Sequence, residues 1–399
     1  MTGPRFIADA RVVDVAAGDV HAGQLVELDG DHIVAVRRGA PPPGATVLDA
    51  GGRYLLPGLI SCHTHLSITF PMSATDPTEH PAATVLRAAA RARDAIAAGI
   101  TTVRCVHEQN RADFWLRDAQ RRGWLTLPRI FGAGRALTTP HGHGAGSACV
   151  EAEGEEGFYE AACEELRAGA DHVKIFINGG LAREGEDPSL SEMSDGELAG
   201  TVRAAREHDA YVVAHSGASA AIRQALQQGV RCFEHAYELD MSTAELLAAS
   251  GAYVTPTLVV TRCEPWMRAH DFEEATIANA ARTAEGHLES IRNAIAAGVQ
   301  LLAGTDLPPG DDVDGLSATV VELLALEDAG LSRAAALRCA TTTPAALMGR
   351  DDVLGQVRAG FLADLILVDD NPLEDLSALG KPQIVLQNGV VVVQAGVTK

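Results

Sequence analysis

Gly229-Val-Arg-Cys-Phe-Glu-His235 and Gly298-Val-Gln-Leu-Leu-Ala-Gly-Thr-Asp306 decide how the middle of this chain is read. Each opens on a glycine, runs through a short apolar stretch and finishes on a residue able to bind a metal or carry a proton. Each also follows an alanine-rich segment of helical character. Glycine suits the left-handed conformation that closes a helix, so the pattern reads helix, turn, strand. It returns in Gly99-Ile-Thr-Thr-Val-Arg, Gly169-Ala-Asp-His-Val-Lys and Gly251-Ala-Tyr-Val-Thr. Strands are expected to start near residues 58, 100, 130, 171, 211, 230, 252 and 300. Two helix starts carry capping boxes, Ser194-x-x-Glu197 and Ser242-x-x-Glu245. Such repetition across residues 58–352 predicts an α/β fold with a parallel sheet, and eight strands fit a (β/α)8 TIM-type barrel. A doubly wound open sheet is the alternative, but no GxGxxG follows an early strand to support it.

Outside that middle the grammar changes. Residues 1–57 and 353–399 read as short strands between Gly, Asp, Asn and Pro punctuation, as in Phe6-Ile-Ala-Asp-Ala-Arg-Val-Val-Asp and Ala363-Asp-Leu-Ile-Leu-Val. Two all-β ends predict one small β-sandwich domain built from both termini, beside a catalytic barrel over 58–352. Across the 399 residues, 53 acidic side chains oppose 32 basic ones, a net charge of −21 that repels phosphate backbones and anionic lipid. Neither a nucleic-acid nor a membrane partner is expected, and no apolar run has the length of a membrane span. Seven scattered cysteines without a CxxC fit a reducing cytoplasm better than a disulfide framework. A homo-oligomer acting on a small-molecule substrate completes this picture.

Chemistry gathers at the strand ends. Pro57-Gly-Leu-Ile-Ser-Cys-His63-Thr-His65 ends in two histidines two apart, which alternation places on one face while Cys62 and Thr64 point away. Tyr211-Val-Val-Ala-His215 and the strand ending at His235 offer two more imidazoles, and Asp306 a carboxylate. Five ligand-bearing strands aimed at one barrel mouth predict a metal site. The first and eighth strands of a closed barrel are neighbours, so His63, His65 and Asp306 should converge. His215 and His235, on the fifth and sixth, should form a second cluster, with Lys174 on the fourth beside it. A bare ammonium would be repelled there, whereas a lysine that has added carbon dioxide is a carbamate able to bridge two cations. Lysine is otherwise avoided: Lys174, Lys381 and Lys399 are the only three. Thr139-Pro-His141-Gly-His143-Gly is read as a substrate-gripping or lid loop rather than a metal site, with His141 and His143 as donors. Arg104 either supplies charge to the substrate or pairs structurally.

With these residues in place, the chain resembles the amidohydrolase superfamily, in the subtype with two metals and a carbamylated lysine. Its nearest look is to the imidazolonepropionase-like and Xaa-Pro dipeptidase (prolidase-like) branch. The likeness runs through Leu56-Pro-Gly-Leu-Ile-x-x-His-Thr-His, Val173-Lys-Ile-Phe, Glu234-His-Ala-Tyr237, Gly304-Thr-Asp and Thr341-Thr-Thr-Pro-Ala-Ala. It implies two divalent metal ions, zinc by expectation, on His63, His65, carbamylated Lys174, His215, His235 and Asp306. A hydroxide held between them would attack an amide carbonyl, with Asp306 as catalytic proton shuttle and Tyr237 contacting the substrate. The substrate implied is a dipeptide or N-acyl amino acid. The alternative is the same site acting on a cyclic amide, lactone, carbamate or organophosphate ester. One departure stands out: Cys105-Val-His-Glu108 replaces the branch's usual Asp and Gly-Gly, putting bulky polar side chains near the expected pocket.

Overall fold

The computed structural model describes residues 3–180 and 188–396. Strands Phe6–Asp14, Asp19–Asp29, His32–Arg38, Val47–Asp49 and Tyr54–Pro57 share one eight-stranded sheet with Leu365–Val368, Ile384–Gln387 and Val390–Gln394. The two ends of the chain meet where Tyr54–Pro57 runs antiparallel to Leu365–Val368, paired from Leu365 with Pro57 to Val368 with Tyr54. Ile7, Val26, Ile33, Leu55, Leu365, Leu367 and Leu386 bury one apolar cluster there. One residue later Gly58 donates its N–H to the Asp364 carbonyl at 2.9 Å, and the chain enters Leu59–Thr64.

From here strands and helices alternate. The anticipated strand starts fall within two residues of strands beginning at Leu59, Ile100, Arg129, His172, Tyr211, Cys232, Tyr253 and Gln300. Their pairings are parallel. They fall in a three-stranded sheet and a seven-stranded one that also holds Leu137–Thr138 and Val150–Glu151. Backbone hydrogen bonds join these sheets on both sides. Asp171 N–H donates to the Gly132 carbonyl at 2.8 Å, Cys62 to Ala303 at 2.7 Å and Thr305 to His63 at 2.9 Å. Helices Ser219–Gln228 and Glu274–Ala297 close on Gly229 (φ 107°) and Gly298 (φ 79°), the left-handed caps that the opening stretches foretold.

Two expectations need correcting. Ser194 and Glu197 form a capping box, but Ser242 does not cap a helix. Helix Met241–Ala249 starts earlier because Asp240 accepts from the Thr243 N–H at 2.7 Å; Ser242 donates its hydroxyl to the same carboxylate. Cys62 does not point away from the strands' enclosed side, for it packs with Ile60, Val106, Val213, Cys232 and Leu302. The pairing register slips between Ser61 and Thr64, so alternation breaks there. Of the segment 105–108, His107 packs against His65 with ring centroids 6.2 Å apart, though none of its residues is among those lining the cavity that holds His63 and His65. Glu108 accepts from the Leu66 and Ser67 N–H groups, both at 2.6 Å, tying down the loop after His65. All seven cysteines are free thiols. Among the described residues no helix is long and apolar enough to cross a membrane.

Candidate active site

A regular strand can aim only every second side chain into one space. The strand ends here escape that limit by leaving regular geometry. His235 (φ 65°), Ala236 (φ 53°) and Asp306 (φ 58°) all adopt left-handed backbone, a strained state for non-glycine residues that clusters at functional sites. At Gly304 an added Cβ would lie 2.7 Å from His63 Cβ, so only glycine allows the Asp306 segment to approach His63.

The result is a compact donor group. His63 Nε2 and His65 Nε2 each stand 3.0 Å from Asp306 Oδ1, as neighbouring first and last strands require. Ligand atoms of His63, His235 and Asp306 all lie within 4.8 Å of one another. His215 joins from the next strand, its ring centroid 4.6 Å from that of His235, and its Nε2 reaches the Gly179 carbonyl at 3.4 Å. Lys174 pairs in register with Val213, two residues short of His215, and its side chain enters the same cavity. The opposite ring nitrogens are held from behind. His63 Nδ1 donates to Glu234, His65 Nδ1 donates to the His107 carbonyl at 2.9 Å, and His235 Nδ1 sits 2.7 Å from the Thr257 hydroxyl. Partners of this kind fix ring orientation and tautomer in metal sites.

Electrostatics agree with that geometry. Burial pushes His215 and His235 well below the ordinary imidazole range, leaving the neutral form that binds metals. Burial alone would raise Asp306, but His63 and His65 beside it hold its carboxyl well below the usual range. Burial brings Lys174 down to about 8, against its attraction to Glu234 and Asp306. Neutral imidazoles around an ionised carboxylate suit a divalent cation of the zinc type. The donor set therefore fits the metals expected.

Glu234 is the functional residue that strand alternation hid. Its buried carboxylate accepts from Arg104 Nη2 at 2.7 Å, from Thr255 Oγ1 at 3.1 Å and from His63. Burial would raise it, yet Arg104 and His63 hold it well below the carboxylate range. Arg104 is fully buried, also donates Nε to the Cys62 carbonyl at 2.5 Å, and is not among the residues lining the cavity of His63 and Asp306. It pairs with Glu234, as the structural alternative expected. His141 is exposed on a left-handed turn (φ 68°) and is not among the residues lining that cavity. His143 does line the cavity, stacked on His215 with centroids 4.4 Å apart. Tyr237 lies parallel to the His235 ring at 5.1 Å and also faces the cavity. The space measures about 800 Å³, counting the part open to solvent.

Comparison with known proteins follows the same line. A model of the amidohydrolase family matches residues 54–392. In sequence the chain is similar to the ochratoxinase of Aspergillus niger, 27% identical over 363 residues, covering 83% of this chain and 73% of that protein. In structure it is similar to a prolidase complexed with N-methylphosphonate-L-proline, with 28% identity and a TM-score of 0.89 over 98% of this chain and 99% of the other. A Xaa-Pro dipeptidase with methionine in its active site gives 26% identity and a TM-score of 0.86, covering 97% of this chain and 98% of that one.

Proposed function

Because this chain belongs to the amidohydrolase family and is a hydrolase acting on carbon–nitrogen bonds, we propose that it cleaves the amide of a dipeptide or N-acyl amino acid in this cavity. His63, His65 and Asp306 would hold one divalent metal, and His215 with His235 a second. Lys174 would bridge them as a carbamate: its neutral amine nitrogen bonds to the carbon of carbon dioxide and releases one proton to water. Bound there, the metals, zinc by donor chemistry, supply a Lewis acid and lower the pKa of a water molecule. The protein's own part is to move protons and hold the substrate. Asp306 takes the proton of the attacking water and hands it to the leaving nitrogen, acting as base and then as acid. Tyr237 and His143 contact the substrate from the rim.

The arrangement is read as a (β/α)8 barrel over 58–352, with a β-sandwich domain from 1–57 and 353–399. The Cys62-to-Ala303 and Thr305-to-His63 hydrogen bonds, between first and last strands, support closure. One observation carries the reading: two imidazoles share the Asp306 carboxylate at 3.0 Å while a third donor, His235, lies within 4.8 Å. The test is a screen of the zinc-loaded protein against Xaa-Pro dipeptides, N-acyl amino acids, carbamates and lactones. Amide turnover that disappears on chelation and returns with zinc is expected. Turnover of lactones or carbamates alone would favour the non-peptide reading. That second reading gains because Arg104 and His141, two of the three groups expected to grip a substrate carboxylate, are not among the residues lining this cavity.

A further inference from the structure

The cavity has two unlike walls. One part of the lining is the histidines, Lys174 and Asp306; the other is Phe70, Val260, Trp266, Met267 and Phe272, which pack in one apolar cluster. Among the described lining residues, Lys174 and Asp306 are the only lysine, arginine or carboxylate side chains, and both belong to the first wall.

The apolar wall is built and held. Most of it comes from one excursion of the chain between strands Tyr253–Thr255 and Gln300–Leu301, through the 3-10 helix Leu258–Thr261 and the short α-helix Glu264–Ala269. Trp266 is its centre. Its Nε1–H donates to Asp311 Oδ2 at 3.2 Å, one face stacks on His270 with centroids 4.0 Å apart, and Phe70 meets it edge-on at 5.3 Å. Phe70 is fixed in turn by the Arg91 guanidinium, 5.3 Å from its ring centroid. Rings locked in this way lose little freedom when a ligand arrives, so they bind a flat apolar group at low entropic cost. A charged group in the same place would shed its hydration against side chains that cannot pair with it.

We propose that the substrate carries a bulky uncharged aromatic group next to the scissile amide, and that this group lies against the Trp266 wall. This rests on the amide-hydrolase reading above and sharpens it to a substrate class. The measurement uses two matched series with the zinc-loaded full-length protein: Xaa-Pro dipeptides, which vary the acyl side, and N-acetyl-Xaa, which vary the amine side. In each, Xaa is Gly, Leu, Phe or Asp. In one series at least, kcat/KM for Phe should exceed that for Gly by roughly ten- to a hundred-fold, the worth of burying such a side chain, with Asp slowest. Trp266→Ala should bring the Phe/Gly ratio towards one, and Trp266→Phe should keep most of it. The wild-type series stands even if the alanine variant does not fold. Equal rates for Gly and Phe, or a preference for Asp, in both series overturn the aromatic proposal and leave the amide reading intact. No hydrolysis in either series by folded, metal-loaded protein overturns both.

Discussion

Asp306 has two jobs in one carboxylate, and they separate under substitution. Asp306→Asn preserves shape but cannot accept a proton, so kcat should fall about 10²-fold or more. Near wild-type turnover in that variant, with metal bound, would end the shuttle assignment. Lys174 is the harder case because its expected modification is invisible in the sequence. Lys174→Arg cannot form a carbamate, so activity should vanish and bound metal per chain should drop, with circular dichroism unchanged. Full metal content in that variant would remove the bridge. Arg104 is tested through its ion pair with Glu234. Arg104→Met strips Glu234 of its buried cation, and breaking such a pair costs about 3–5 kcal/mol, which a urea midpoint would register. A stable variant with an altered KM would tie Arg104 to the substrate instead.

At the scale of elements, the regular parts were legible and the irregular parts were not. The repeating units bring His63, His215, His235 and Asp306 together because each lies in or just beyond one of the parallel strands, which needs only a period and a turn residue; the strands of His215 and His235 run on to Ala218 and Glu238. Glu234 escaped because alternation puts adjacent residues on opposite faces; positive φ at His235 and Ala236 lets both neighbours contribute. The aromatic wall escaped because Phe70, Val260, Trp266, Met267 and Phe272 follow no helical or strand period. Helix Ala318–Asp328 anchors that region through Glu322, which accepts from the Val259 N–H at 2.9 Å. Burial pushes Glu322 up from 4.5 to about 7. Between those values the native chain holds a proton that the unfolded chain has lost, so this group's contribution is full below 4.5 and wanes as pH rises to about 7. Glu322→Gln does not titrate. Relative to wild type it should gain on the order of 1–3 kcal/mol between pH 4.5 and 7.5, read from urea unfolding at each pH. A difference that stays flat across that range would show that Glu322 is ionised in the native state.

For the whole molecule, the question is whether the terminal sheet is an appendage or part of the frame that holds His63. Leu365–Val368 pairs along all of Tyr54–Pro57, and Gly58, bonded to the Asp364 carbonyl, leads into the strand that carries His63. Arg129, which begins the third parallel strand, reaches back to Asp364 at 3.1 Å and Asn388 at 2.7 Å. Leu365, Leu367 and Leu386 bury against Ile7, Val26 and Leu55, so losing the C-terminal strands would expose an apolar face and an unpaired edge together. Removing residues 353–399 should therefore abolish cooperative folding as well as activity. The truncated chain would bind a hydrophobic dye, lack near-ultraviolet dichroism and fail to retain zinc through gel filtration. A soluble truncated chain with a sharp thermal transition and bound zinc would show instead that 58–352 stands alone, and that the sheet built from both termini is dispensable to the metal site.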